Sequence, residues 1–301
     1  MIYTLTLNPA LDYILRLPVL REGETNRAAS AELQFGGKGV NVSLVLSELG
    51  VASTALGFVA GFTGDALTAY LTERDIHTDF VQLPEGLTRV NIKLKTPEGL
   101  HPETEINASG PAIPADCMER LYEKLDALTA GDTLVLAGSI PPSLPRDTYR
   151  AVMERLDGRG IRFVADAEGA VLTETLPYSP FLVKPNRAEL EGIAGRLLPT
   201  DADLQEAAAA LRRAGAQNVL VSLGGDGAML LDAEGGYHRV PALPVTPVNT
   251  VGAGDSMVAG FLAGADRGYE YALKLAMACG AATASSHGIA TGEQVRHLLC
   301  Q

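Results

Sequence analysis

The sequence predicts a doubly wound α/β sandwich carrying a small accessory β-sheet. Three observations predict it. Short runs of β-branched and apolar residues recur along the 301-residue chain, apolar enough to be strands buried on both faces. Amphipathic helical stretches separate them, the alternation that builds a mostly parallel sheet. Two stretches, at about 11–35 and 88–107, break that rhythm with period-two alternation and little helical pattern.

The elements follow in order. IYTLTLN (2–8) is the first buried strand. DYILRLPVLREGETNRAASAELQF, within 11–35, supplies accessory strands. GVNVSLVLSELG (39–50) is a helix that stops at a glycine. RVNIKLKT, then PEG, then HPETEIN reads as a β-hairpin of the accessory sheet. CMERLYEKLDAL (117–128) places Met118, Leu121, Leu125 and Leu128 on one helical face. DTLVLAG (132–138), IRFVADA (161–167) and PFLVKPN (180–186) are further buried strands. DADLQEAAAALRRAG (201–215) opens with an Asp-rich first turn and ends at Gly215, as a capped helix does. NVLVSLG (218–224) is the next strand. No repeat, low-complexity tract or long linker divides the chain, so 1–301 reads as one domain. The accessory strands fold over one end of it as a lid, an edge extension or a dimer surface.

Composition excludes several functions. Hydrophobic residues make up 47% of the chain, enough for a large core. Against 24 basic residues stand 36 acidic ones, a net charge of −12, a poor match for nucleic acid or an anionic membrane. Cys117, Cys279 and Cys300 are far apart and odd in number, which argues for a reducing compartment and against disulfides or zinc. His77, His101, His238, His287 and His297 show no metal-ligand spacing and read as surface or loop residues. The opening MIYTLTLNPALDYIL has no basic residue and reads as a strand rather than a signal peptide. The longest uncharged stretch, LGVASTALGFVAGFTG (49–64), is shorter than the ~20 apolar residues of a membrane span. A cytoplasmic protein is expected.

Four clusters carry chemistry. In NTVGAGDS (249–256), a Gly-Ala-Gly turn precedes a helix of small residues. Successive backbone N–H groups in such a turn, with the helix N-terminus behind them, favour an anion. Asp255 then puts a carboxylate beside that anion. It is either a helix cap or a general base that takes a hydroxyl proton, and this stretch leaves both open. GGKGVNVS (36–43) sets Lys38 among glycines before a helix but lacks P-loop spacing, and no GxGxxG follows the first strand. It is a tight turn with a solvated lysine, or a sugar-phosphate anchor with Lys38 and Asn41 facing the ligand. SLGGDGAM (222–229) leaves a strand through glycines, as a β-turn or a ligand loop. VKPNRAEL (183–190) delivers Lys184, Asn186 and Glu189. Asn186 and Glu189 would share a helical face and hold a hydrated Mg²⁺, or form a helix-start cap.

Taken together, these residues resemble the PfkB (ribokinase-like) family of carbohydrate kinases. GGKGVNVS near one end and TVGAGDS near the other carry the resemblance, with LNPALD (7–12), VKPNRAE (183–189) and SLGGDG (222–227) in the family's order. It covers nearly the whole chain. LNPALDY, ALGFVAGFTG, ETEIN and TVGAGDSMVAG are similar to the branch that phosphorylates sugar phosphates. One departure is Asn249, where an Asp is often seen.

The resemblance implies a three-layer αβα sandwich with a small β-sheet lid that often doubles as a homodimer surface. It implies ATP-dependent phosphorylation of a ketose phosphate with Mg²⁺: fructose 1-phosphate to fructose 1,6-bisphosphate, with tagatose 6-phosphate or fructose 6-phosphate as alternative acceptors. Asp255 would be the base, and Gly252, Ala253 and Gly254 the anion hole. Lys184, Asn186, Ser222, Gly224, Gly227 and Gly254 would line the ATP phosphates, with Glu189 organising Mg²⁺ through water. Asp12 would bind sugar hydroxyls. Gly37, Lys38, Asn41 and Arg89 would hold the substrate, Lys38 and Arg89 at its phosphate, with Arg27 as a further candidate. A sugar-phosphate binding protein without catalysis is the alternative of another class. Asp255 argues against it, because a pure binder gains nothing from a carboxylate in a phosphate hole.

Overall fold

The computed structural model describes residues 1–97 and 104–300. In chain order its strands are β1 (Ile2–Thr6), β2 (Ala10–Arg16), β3 (Ser30–Gly36), β4 (Ser53–Val59), β5 (His77–Thr78), β6 (Val81–Gln82), β7 (Arg89–Lys95), β8 (Thr104–Ile106), β9 (Thr133–Ala137), β10 (Arg162–Asp166), β11 (Leu182–Val183), β12 (Asn218–Ser222), β13 (Ala228–Leu231) and β14 (Tyr237–Val240). They form two sheets. A ten-stranded sheet runs β14-β13-β12-β11-β10-β9-β1-β4-β5, with β6 also on β4, and a four-stranded sheet runs β3-β2-β7-β8. Pairings from β12 through β1 to β5 and β6 are parallel, while β12–β13 and β13–β14 are antiparallel.

The helices are α1 (Lys38–Glu48), α2 (Gly61–Thr72), α3 (Ala115–Asp126), α4 (Thr148–Leu156), α5 (Gly169–Thr173), α6 (Arg187–Ala194), α7 (Asp201–Arg213), α8 (Ala253–Gly264), α9 (Tyr269–Ala284) and α10 (Gly292–Leu299). Side chains alternate across a strand, so a strand covered on both faces must be apolar at every position. In β9, Val135 and Ala137 join the core under α1, α8, α9 and α10, while Leu134 and Leu136 join the core under α3 and α4. Further along the sheet, Val183, Val219 and Val221 pack beneath α6 and α7, opposite Leu182 and Leu220. Helix α2 covers Ala55 and Val59 on the α1 side. The result is helix, sheet, helix, the three layers expected.

Glycine explains how α8 is seated. A Cβ on Gly260 would stand 2.8 Å from the Ala276 Cα, and one on Gly264 2.8 Å from the Ala272 Cα. The small residues after Asp255 therefore let α8 lie directly against α9, which fixes the position of its N-terminus.

Several elements differ from the sequence reading. The strand expected at 180–186 is only Leu182–Val183, because Pro180 and Pro185 bound it and a proline has no N–H for the ladder; Asn186 keeps one isolated bridge to Ser222. Strand β4, buried along its whole length, was not read from the sequence. Its glycine, serine and threonine dilute the apolar signal. The antiparallel edge β13–β14 was likewise missed. His238 is not a surface loop residue: it is half-buried in β14, with its Nε2 2.6 Å from Asp232 Oδ2. The accessory strands fall at Ala10–Arg16, Ser30–Gly36, Arg89–Lys95 and Thr104–Ile106, and residues 17–29 form no strand. The expected PEG turn at 97–99 runs into 98–103, and that segment and His101 lie outside the described residues. Cys117 and Cys279 are buried and Cys300 is exposed, all three as free thiols.

Candidate active site

The fold dictates where a ligand cleft should lie. Strand β1 pairs with β4 on one side and β9 on the other, so the strand order reverses there. Open α/β sheets bind ligands beyond the carboxyl ends of strands at such a point. A cleft of about 1320 Å³ lies at that place. Its wall includes Thr6 at the end of β1, Asn8 just after it, Gly138 and Ser139 after β9, and the polar face of the four-stranded sheet. That volume exceeds the roughly 300–1,000 Å³ that suits one small ligand, and leaves room for two.

Asp255 sits at its floor, 6% exposed. The N-cap of α8 is Gly252, in the left-handed region at φ 81°, and Asp255 is the third helical residue rather than the cap. The capping alternative therefore fails. Its Oδ2 instead accepts from Asn41 Nδ2 at 2.7 Å, which joins the α1 and α8 ends of the chain. Burial, and then the negative charge of Asp166, push the Asp255 carboxyl up to about 6 against the pull of Asn41, Lys38 and Lys184. A carboxylate so placed is ionised at neutral pH and still a useful proton acceptor.

Lys38 and Lys184 flank this floor. Their Nζ atoms lie 3.3 Å and 3.5 Å from the same Oδ1 of Asp166, a residue with no exposed surface. Burial alone would lower the Lys38 ammonium; Asp166, then Asp255 and Glu189, hold it above its ordinary value. The other oxygen of Asp166, Oδ2, is buried without a hydrogen-bond partner. Asp166 was not singled out in the sequence. A carboxylate ending a buried strand, in IRFVADA, was the available signal.

The residues expected to form an anion hole lie at the start of α8. Gly252, Ala253 and Gly254 all line the cleft, and a Cβ on Gly254 would come 3.0 Å from Lys184 Nζ. Ala253 N–H donates to Thr250 O at 3.2 Å and Ser256 N–H to Gly252 O at 2.9 Å, which leaves the N–H groups of Gly254 and Asp255 in the first turn for a ligand. Gly37 caps α1 at φ 118°, where its backbone passes close to Thr6 and Pro9. Ser222, at the carboxyl end of β12, and Gly224 and Gly227, beyond it, also line the cleft. Asn186 and Glu189 form a reciprocal capping box: Asn186 Oδ1 accepts from the Glu189 N–H at 2.9 Å and Glu189 Oε2 from the Asn186 N–H at 2.8 Å. The cap reading of that pair is realised, and it commits one oxygen of Glu189.

The four-stranded sheet supplies the opposite wall. Arg89 Nε donates to Asn8 O at 3.2 Å and its Nη1 to Ala108 O at 3.4 Å. Burial lowers its pKa, with Asp12 opposing. Asp12 lines the cleft beside Asn91 and Lys93. Arg27 is exposed between β2 and β3 and does not line the cleft. All the other candidate site residues, including Gly37, Lys38, Asn41, Arg89, Lys184 and Glu189, converge on it. Among the described residues no group of three acidic, histidine or cysteine side chains is arranged to hold a metal. No helix of the described residues is long and apolar enough to cross a membrane.

Comparison with known proteins places the chain in a family. A model of the "pfkB family carbohydrate kinase" matches residues 5–296. The chain is 43% identical over 302 residues to the 1-phosphofructokinase of Bacillus subtilis (strain 168), covering 99% of this chain and 97% of the relative. It is 35% identical to a D-tagatose-1-phosphate kinase of Bacillus licheniformis, covering 96% and 94%. Phosphofructokinase-2 of Escherichia coli, solved in complex with substrates and products, superposes with a TM-score of 0.93 at 29% identity over 99% of this chain and 98% of that one. With the family model matching nearly end to end, this chain belongs to the pfkB family of carbohydrate kinases.

Proposed function

We propose that this chain transfers the γ-phosphoryl group of ATP to the C6 hydroxyl of fructose 1-phosphate, giving fructose 1,6-bisphosphate and ADP. The observation that carries the proposal is the buried Asp255, its carboxyl pKa pushed up to about 6, set one residue behind Gly254 at the floor of a cleft large enough for two ligands. Relatives named 1-phosphofructokinase at 37–43% identity favour this acceptor. The relative named D-tagatose-1-phosphate kinase supports a 1-phosphate acceptor too, and makes tagatose 1-phosphate a second candidate beside the 6-phosphates.

In this reading Asp255 takes the proton of the acceptor hydroxyl while that oxygen bonds to the γ-phosphorus, and the bond from phosphorus to the ADP oxygen breaks. N–H groups at the start of α8, and Lys184, stabilise the charge on the transferred group. Lys38 and Arg89 hold the phosphate already on the sugar, Arg89 through its planar fork. Asn186, Ser222, Gly224 and Gly227 line the nucleotide phosphates, and Asp12, Gly37 and Asn41 the sugar. Mg²⁺ would neutralise the nucleotide phosphates. The uncommitted oxygen of Glu189 and the unpartnered Oδ2 of Asp166 suit an ion bound mainly by phosphate and water, not a protein cage.

The chain acts in this reading as a single kinase unit in the cytoplasm, with the segments at about 11–35 and 88–107 as its lid. Closing the lid excludes water, which would otherwise take the phosphoryl group. The outer face of that sheet exposes Tyr13, Leu33 and Ile106, at 38%, 45% and 58%, and pairing of two lids in a homodimer would cover them.

A coupled assay of ADP release with Mg-ATP tests the acceptor. Fructose 1-phosphate should exceed fructose 6-phosphate, tagatose 6-phosphate and free fructose in kcat/KM by about 100-fold or more, with tagatose 1-phosphate next. Preference for a 6-phosphate would turn the sugar end for end in the cleft and overturn the assignment.

A further inference from the structure

Lys93 is buried in the lid sheet, and no role assigned above uses it. Its side chain is 7% exposed, and its Nζ lies 3.2 Å from Asp12 Oδ2 and 3.6 Å from Glu105 Oε1. Asn91, two residues earlier on the same face of β7, donates from Nδ2 to Asp12 Oδ1 at 2.8 Å. Asn91 is itself held, because its Oδ1 accepts the Ala108 N–H at 3.2 Å. Strands β2 and β7 run parallel with Asp12 opposite Asn91 and Ile14 opposite Lys93, so the ladder fixes this arrangement. Both oxygens of Asp12 are therefore gripped from one strand.

A lysine this buried is costly unless paired, and hydrophobic residues would cover a lid wall at least as well. The arrangement has a chemical purpose beside an anionic substrate. Asp12 is a carboxylate in a cleft that receives a phosphorylated sugar. Unneutralised, it would repel the phosphate and be free to turn away from the sugar.

We infer that Lys93 is a positioning residue for the acceptor: with Asn91 it clamps the Asp12 carboxylate toward the sugar hydroxyls and offsets part of the negative charge that Asp12 and Glu105 set beside the sugar's phosphate. Lys93 acts through Asp12 and does not itself touch the sugar. The inference rests on the proposed ketose-phosphate kinase reading.

A double-mutant cycle on the full-length protein tests it. Lys93→Met should raise KM for fructose 1-phosphate about tenfold or more, as loss of a charged hydrogen bond does, with KM for ATP changed less than about threefold. Lys93→Arg should restore most of the affinity. In an Asp12→Asn background, Lys93→Met should raise KM for the sugar phosphate no further, because the group it positions is already altered. If Lys93→Met does not fold, Lys93→Gln carries the same cycle, since glutamine keeps a donor without the charge. Additive effects of the two substitutions, or equal rises in KM for both substrates, would overturn the inference. A wild-type protein that phosphorylates no ketose phosphate would instead sink the function on which it rests.

Discussion

Asp255→Asn is expected to lower kcat by about 10²–10⁴, the usual contribution of a general base, and to leave KM for ATP within about threefold. Asparagine fits the space and can still pair with Asn41, so the loss is confined to proton transfer. The same variant should be the more stable protein above pH 6. Asp255 titrates near 6 when folded, against about 3.9 for an unfolded aspartate. Its neutral form is the one the fold prefers. That contribution is fully present below about pH 4 and is lost as pH rises through 6. Asparagine never ionises, so a stability gap, read as a difference in Tm, should open between about pH 4 and 6 and hold above it, at on the order of 3 kcal/mol. Thermal unfolding of both proteins across that window, with steady-state kinetics at neutral pH, reads out both halves. Wild-type turnover in the variant would make Asp255 a bystander. A Tm gap that shrinks above pH 6 would contradict the buried charge.

Arg89→Ala should raise KM for fructose 1-phosphate about 10- to 100-fold, the loss of a charged pair to phosphate, with a much smaller effect on free fructose. The guanidinium has a second duty. It ties β7 to Asn8, at the end of β1, and to Ala108. Alanine therefore also loosens the wall, and some loss of kcat is expected with it. Lysine restores the charge but not the fork, so Arg89→Lys should recover only part of the affinity. The comparison of phosphorylated and unphosphorylated sugar separates the two duties. Equal effects on both would reduce Arg89 to a wall residue.

Local sequence carried much of this site and hid one part of it. TVGAGD raised the expectation of an anion hole because glycine spacing and the following helix are local properties. The same was true of VKPNRAEL, whose capping box spans three residues. What holds Asp255 was not local: its hydrogen-bond partner is Asn41, 214 positions away. Asp166 escaped notice because its importance lies in partners 128 positions apart for Lys38 and on another loop for Lys184. Lys93 looked like one polar residue in an alternating strand, and only the parallel pairing of β2 with β7 brings it to Asp12. In the fold, continuous apolar runs were legible as buried strands. Strand β4 was not, since Ser53, Thr54 and Gly57 blur its signal although every position is buried.

The central claim is that a buried Asp255, tuned by its neighbours, is the base. The pH dependence of kcat/KM for fructose 1-phosphate, which reports ionisations of the free enzyme, tests it most directly, measured for the wild type and for Asp166→Asn. The acid limb of the wild type should fall near pH 6. Asp166 is the second cause of the raised value, after burial, and Lys38 and Lys184 remain to favour the ionised form. Removing its charge should therefore move the limb to lower pH. Both proteins share the substrates' own ionisations, so the displacement belongs to the protein. A downward shift is the predicted result; an unmoved or raised limb would contradict the account.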